Sequence, residues 1–303
     1  MINPHCLMRT RQEGDPPIHP ISCFRRTLDH CCDSTGRLPY QAKRPGERFS
    51  TMQNGQRKLL LAEIELLCMT DPLRSYTLVY AGAAPGLHIP LLANLFPYVQ
   101  FHLYDTRPFS IDPTPQVRIH RRLFTDDIAR TYADTDGLIL VSDIRRTGAN
   151  DGVWQDMLTQ QTWHGLMRPE LASLKFRLPW VQEGSEGRLV LYLVGDVHLP
   201  VWGRTSTTEC RLLVDRQHHE GVRLYDCVVY EQEMSHFNRI IRPSVHQRAR
   251  VGVEGTGFDA CYDCTAEIHI LEAYLTGGFG PMAQEHDIKT LSFLISRKLG
   301  RCS

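Results

Sequence analysis

Residues 79–88 read Val79-Tyr-Ala-Gly-Ala-Ala-Pro-Gly-Leu-His88. The apolar run that begins at Thr77 and ends at Ala81 has the composition of a buried strand, and it stops at a turn built on Gly82, Pro85 and Gly86. The two glycines let the backbone turn tightly and approach a ligand without Cβ clashes, and Pro85 stiffens the turn. A helix is expected from His88 to about Leu95 and a second strand from Gln100 to Tyr104, which completes a βαβ unit. Such a turn at the end of a parallel strand cradles a nucleotide-type cofactor. Ala84 breaks the dinucleotide fingerprint Gly-x-Gly-x-x-Gly, and no Gly-Lys-Ser/Thr phosphate loop is present. Asp105, at the end of the second strand, is placed to accept hydrogen bonds from both ribose hydroxyls of an adenosine. Adenosine without a pyrophosphate fits this pattern best.

Working outward, Lys58 to Met69 places leucines and Ile64 around most of a helical circumference, as in a helix buried against a sheet. Strands are expected at Val117–His120 and Leu138–Val141, and helices at Asp126–Tyr132 and Trp154–Met167. The alternation predicts a doubly wound, mainly parallel α/β sheet of Rossmann type with helices on both faces. Ser173–Leu178, Arg188–Val194, Cys210–Val214 and Arg223–Val229 read as antiparallel additions to that sheet. Helices are expected at Glu231–Ile241, Phe258–Leu275 and Glu285–Leu299, the last two parted by Gly277-Gly278. Residues 1–50, rich in Pro, Arg, His and Cys without period, read as an irregular arm before a single domain over residues 51–303.

The chain has 303 residues, 42% of them hydrophobic, enough for one large α/β domain. Lys plus Arg equals Asp plus Glu at 34 each, so bulk charge does not draw it to nucleic acid and any RNA contact must be local. No run approaches the roughly 18 apolar residues of a membrane span, and Met1 to Gln12 lacks a signal-peptide core, so an intracellular protein is expected. The ten cysteines are scattered like free thiols. Cys261 and Cys264 lack a second Cys-x-x-Cys pair and read as small core residues rather than zinc ligands; His30-Cys31-Cys32 and His218-His219 invite a metal without supplying a known spacing.

Beyond the turn, five segments occur in a fixed order: Gly55-Gln-Arg-Lys-Leu-Leu-Leu61, Val79 to His88, Leu140-Val-Ser-Asp-Ile-Arg145, Ala172-Ser-Leu-Lys-Phe-Arg177 and Thr208-Glu-Cys-Arg-Leu-Leu213. In these the chain resembles the poxvirus cap-specific mRNA 2′-O-methyltransferases, which also stimulate the viral poly(A) polymerase. The resemblance implies an S-adenosylmethionine-dependent enzyme acting on capped mRNA, with a polymerase catalytic subunit as partner and the host cytoplasm or the virion as its place. It puts Lys58, Asp143, Lys175 and Glu209 at the Lys-Asp-Lys-Glu tetrad of ribose 2′-O-methyltransferases. It assigns cofactor contacts to Gln56, Tyr80, Gly82, Gly86, Asp105, Arg107, Asp143 and the backbone near Phe124.

The tetrad suits the chemistry, because a ribose hydroxyl is a poor nucleophile at neutral pH and needs a base beside it. Lys175 is the expected base. Its amine must then be neutral, lowered from about 10.4 by burial and by a like charge such as Lys58, while Asp143 and Glu209 orient the lysines.

A 7-methylguanine carries positive charge and is held between aromatic faces with a carboxylate at its edge. By the resemblance, Trp180 and Glu231 take those roles. Two positions depart from the family: Ser206 stands where it has a second stacking tyrosine, and Gln182 where it has an aspartate. Trp202, Phe24 and Tyr40 are candidate replacements. For RNA phosphates, Arg145 and Arg146 just after Asp143 are the best-placed basic pair, ahead of the runs Arg118–Arg122 and Arg239–Arg250.

Overall fold

The computed structural model describes residues 26–28, 36–40, 55–146, 150–180, 189–204, 206–242, 258 and 261–299. The elements run α1 (Gly55–Leu67), β1 (Tyr76–Ala81), α2 (Ile89–Leu95), β2 (Val99–Tyr104), β3 (Val117–His120), α3 (Asp126–Thr131), β4 (Leu138–Ser142), α4 (Asn150–Met167) and β5 (Leu171–Phe176). Then follow β6 (Leu189–Leu193), β7 (Asp196–His198), β8 (Cys210–Asp215), β9 (Val222–Asp226), α5 (Cys227–His236), a π-helical turn (Phe237–Ile241), α6 (Tyr262–Gly277), α7 (Pro281–Glu285) and α8 (Ile288–Lys298).

Seven strands form one sheet in the order β3-β2-β1-β4-β5-β8-β7. The first five pair in parallel, and β8 and β7 close the far edge antiparallel. The strands β1, β4 and β5 are buried almost throughout, which is why they read as continuous apolar runs rather than alternating ones. Helix α1 packs on α2, α6 and β5, whereas α4 packs on α3, β5 and β6, so helices cover both faces. The direction of crossover reverses between β1 and β4, and this creates the crevice where such sheets take ligands.

One buried ion pair sets how α1 sits. Arg57, fully buried, donates from Nε to Glu267 of α6 at 2.9 Å and from Nη1 to the Ser296 hydroxyl of α8 at 2.8 Å. Trp202 adds a hydrogen bond from its indole nitrogen to the same glutamate at 2.7 Å. Its neighbours Gln56 and Lys58 are thereby carried to the rim of the crevice.

The C-terminal half departs from the expectation in several ways. The Ser173–Leu178 segment belongs to β5 and pairs in parallel with β4, because the long helix α4 supplies the crossover that parallel pairing needs. The Arg188–Val194 and Arg223–Val229 segments do not join the main sheet but form their own antiparallel pair, β6 with β9. The edge of β8 that they would have used is taken by β7, a three-residue strand too short to show any period. The β9 strand also stops early: the Asp226 carboxylate accepts hydrogen bonds from the backbone N–H groups of Val228 and Val229 and starts α5 four residues before Glu231. Gly278, in the left-handed region, does end α6 as expected. No helix among the described residues is long and apolar enough to cross a membrane.

Candidate active site

The turn forms as its glycines demand. Gly82 holds φ at +83°, and a Cβ there would lie 2.9 Å from the Asp143 carbonyl carbon, so only glycine lets β1 pass this close to β4. Gly86 also has positive φ, and the Ala84-Pro85 peptide is cis. Hydrogen bonds from the Gly82 and Ala83 N–H groups to the Tyr104 carbonyl tie the turn to β2.

Asp105 sits at that junction. Its Oδ2 accepts from the Ala84 N–H at 3.1 Å and from Arg107 Nη2 at 2.9 Å, and its Oδ1 accepts from the Arg107 N–H at 2.9 Å. Burial pushes this carboxyl up, but the Arg107 and Ala84 donors outweigh it and hold it below the usual carboxylate range. Arg107 also donates to the Ala84 carbonyl, which braces the turn. Tyr80 is fully buried and supports the turn from behind. Burial, with the Glu63 and Asp143 carboxylates, pushes its phenol well above the ordinary value. Phe124 lies under the crevice between Tyr104 and Trp163, edge to face with both.

The sheet then assembles the four dispersed residues. Asp143 follows β4 directly, Lys175 is next to last in β5, and Glu209 immediately precedes β8, whose first residue Cys210 pairs with Phe176. Parallel β4–β5 and antiparallel β5–β8 pairing therefore bring these three to one end of the sheet, where Lys58 of α1 meets them. Lys175 Nζ lies 3.2 Å from Asp143 Oδ1 and 3.5 Å from Glu209 Oε2, and Lys58 Nζ reaches Glu209 Oε1 at 2.7 Å. Burial raises Glu209, yet Lys58 and Lys175 outweigh it and hold it far below the usual range. Asp143 is likewise held low against burial, first by Arg211 and then by Lys175. Gln160 of α4 clamps the Lys175 backbone by two hydrogen bonds of 3.0 Å, to its N–H and from its own amide to the Lys175 carbonyl.

Beside this cluster lies an aromatic one. Tyr40 and Trp180 stand with ring centroids 4.5 Å apart, and the Arg177 guanidinium lies 5.4 Å from the Trp180 ring centroid. The Tyr40 hydroxyl donates to the Ser206 carbonyl at 3.4 Å. Burial and the Glu231 carboxylate raise the Tyr40 phenol, which places Glu231 within electrostatic reach of the ring pair.

A model of the family described as the Poly A polymerase regulatory subunit matches residues 30–275. The chain belongs to that family. Among the relatives of this chain, a myxoma virus (strain Lausanne) protein named cap-specific mRNA (nucleoside-2′-O-)-methyltransferase is 29% identical over 214 residues, 62% of this chain and 61% of its own. The chain thus spans about three fifths of that relative's length. A fowlpox virus (strain NVSL) protein of the same name is 28% identical over 240 residues, 69% of this chain and 75% of its own. Among solved structures, that of bluetongue virus VP4, described as a multifunctional RNA-capping production line, matches 70% of this chain and 38% of its own at 11% identity with a TM-score of 0.43.

Several sequence expectations are redirected by the fold. Trp202 is no substitute for the missing stacking tyrosine, because it is buried and bonded to Glu267. Tyr40 instead lies against Trp180, while Phe24 and Gln182 lie outside the described residues. Arg242 is buried in an ion pair with Asp263 and bonds the Gly203 carbonyl, so that member of the Arg239–Arg250 run is structural, whereas Arg239 is exposed; residues 243–250 lie outside the described residues. The Arg118–Arg122 run begins on the edge strand β3, with β2 and β1 between it and β4. Arg145 and Arg146 do flank the tetrad. Arg145 lies 3.6 Å from Glu209 and 3.9 Å from buried Asp156, and Arg146 takes Asp156 through its N–H at 2.9 Å. Cys264 is buried in α6 and Cys261 caps its start; His30-Cys31-Cys32 lies outside the described residues.

Sequence reasoning missed Arg211. It is buried, hydrogen-bonds the Asp143 carboxylate, and donates from Nη1 to the Ser142 carbonyl at 2.8 Å. The signal was its position two residues after Glu209, which sends both side chains to the same face of the strand.

Proposed function

We propose that the protein transfers a methyl group from S-adenosylmethionine to the ribose 2′-hydroxyl of the cap-proximal nucleotide of mRNA. The convergence of Lys58, Asp143, Lys175 and Glu209 in one ion-paired cluster beside the Gly82–Gly86 turn carries this reading. The turn, with Asp105 and Arg107, holds the adenosine end, and Gln56 the other; the sulfonium supplies an activated methyl group. Once it has given up its own proton, Lys175 Nζ accepts the hydroxyl proton as the ribose oxygen attacks the methyl carbon, a C–O bond forms, the C–S bond breaks, and its electron pair stays on sulfur. Asp143 and Glu209 orient the base, and Arg211 keeps Asp143 ionised.

Trp180 and Tyr40 hold the 7-methylguanine, with Glu231 at its positively charged edge. Their rings now touch each other, so one swings aside to admit a base. Residues 51–303 act as one catalytic unit, and the preceding arm contributes Tyr40. Arg145, Arg146 and Arg177 line the way out for the RNA phosphates.

The test is a radiolabelled methyl-transfer assay on capped RNA, uncapped RNA and capped RNA already methylated at the first ribose. Label is expected in the first alone, and Lys175→Ala removes it while leaving cofactor binding. Robust methylation by Lys175→Ala would eliminate Lys175 as base.

Family membership favours a second role, as the RNA-binding processivity subunit of a poly(A) polymerase in the host cytoplasm. Longer tails from a polymerase catalytic subunit when this chain is added would support it. The two roles are compatible.

A further inference from the structure

Behind the turn lies a buried polar group that the transfer step does not use. His88, two residues past Gly86, is fully buried; its Nδ1 is 2.8 Å from Gln56 Oε1 and its Nε2 is 2.9 Å from Glu63 Oε2. Gln56 and Glu63 both belong to α1, so His88 joins the cofactor turn to that helix. Since Oε1 is a carbonyl oxygen, Nδ1 carries the proton and donates to it. The Nε2 contact is close but not aligned as a hydrogen bond, and the buried Glu63 carboxylate also acts on the Tyr80 phenol. A carboxylate in such a place is costly unless a positive charge opposes it. Arg211 supplies that charge, acting on Glu63 electrostatically.

We infer that His88, backed by Glu63, is a positioning residue that locks the Gln56 amide with its oxygen inward and its nitrogen outward, so that Gln56 recognises the carboxylate at the amino-acid end of the methyl donor. This rests on the methyl-donor reading above. The chemistry follows from the lock. An amide whose oxygen is held by His88 presents N–H donors, which match a carboxylate and cannot accept from an α-ammonium. On that reading Asp105, just past the end of β2, holds the ribose, and the methyl group must reach Lys175 on β5. The amino-acid end therefore lies over the turn beside α1, where Gln56 and Lys58 emerge. An unlocked amide could rotate and offer its oxygen, and part of the donor's binding energy would be lost.

Calorimetric titration with two probes tests this: S-adenosylhomocysteine, which has the amino-acid end, and 5′-methylthioadenosine, which lacks it. Asparagine at position 88 puts an amide nitrogen where Nδ1 is, and glutamine puts one where Nε2 is. His88→Asn should keep S-adenosylhomocysteine affinity within about threefold, whereas His88→Gln and Gln56→Ala should each lower it about tenfold. Methylthioadenosine affinity should not move in any of them, and Gln56→Ala with His88→Gln should cost no more than Gln56→Ala alone. In transfer assays Gln56→Ala should raise the KM for the methyl donor with kcat little changed. Unaltered S-adenosylhomocysteine binding by His88→Gln, or parallel weakening of both probes, would overturn the positioning role. Failure of the unmodified protein to bind either probe would instead overturn the methyl-donor reading itself.

Discussion

Gly82 shows how much one residue can settle. Its φ of +83° and the 2.9 Å approach of a Cβ to Asp143 backbone mean that Gly82→Ala is strained twice, by conformation and by contact. The substitution should cost about 1–3 kcal/mol and weaken S-adenosylhomocysteine binding, read by thermal unfolding with and without ligand. Arg211 matters for a different reason. It opposes the buried Asp143 carboxylate, so Arg211→Met leaves that charge without its main partner. Methyl transfer should fall at least about a hundredfold while methylthioadenosine affinity persists.

Glu209 gives a pH signature. Its carboxyl is held low in the folded protein by Lys58 and Lys175 against the opposing effect of burial. The stability it contributes is therefore fully present above the unfolded-chain value near 4.3, and is lost as pH falls through the lower folded value. Unfolding curves from pH 5 downward should be less steep in pH for Glu209→Gln than for the unmodified chain. An unchanged slope would show that Glu209 is not ion-paired in solution.

At the scale of elements, α1 carries both Gln56 and Lys58 and is held by the Arg57–Glu267 pair, both side chains fully buried. Removing one partner leaves a buried charge, so Glu267→Ala should cost about 3–5 kcal/mol in chemical denaturation. Helix α4 contributes in another way. His164 is lowered by burial to about 4. In the folded chain it stays neutral, while the unfolded chain takes up a proton near 6.5, so stability is lost as pH falls from about 6.5 toward 4. His164→Leu should flatten that part of the stability profile, a difference of a few degrees in Tm at pH 5. The β6–β9 pair shows why element type was more legible than element placement. Its alternation of exposed Leu189 and Leu191 with buried Val190 and Tyr192 announces a strand, but no local pattern says which sheet it joins.

For the whole molecule, the aromatic pair ties the arm to the catalytic sheet. Trp180→Ala should raise the KM for capped RNA at least tenfold and leave the binding affinity for uncapped RNA unchanged, because stacking on a cationic base is worth about 1–3 kcal/mol. Since the chain has no net charge, its salt dependence must come from local arginines. Arg146→Ala should reduce the slope of log affinity against log salt by about 0.7, the increment of one single-strand phosphate contact.

The sequence by itself determined the βαβ unit and the turn, while the four polar residues of the cluster were picked out by resemblance to the poxvirus methyltransferases. The first two rest on local requirements: a residue without Cβ in the turn and apolar runs for strands buried on both faces. The meeting of those four, the contact of Tyr40 with Trp180, the burial of Trp202 and Arg242, and the placing of Arg211 and His88 were decided only by tertiary structure. Those depend on which strand lies beside which and which polar group is shut away from water, and neither is a property of neighbours in the chain. The Gly82–Gly86 turn could thus be read where it stands, whereas the Lys58–Glu209 contact across 151 residues had to wait for the sheet to close.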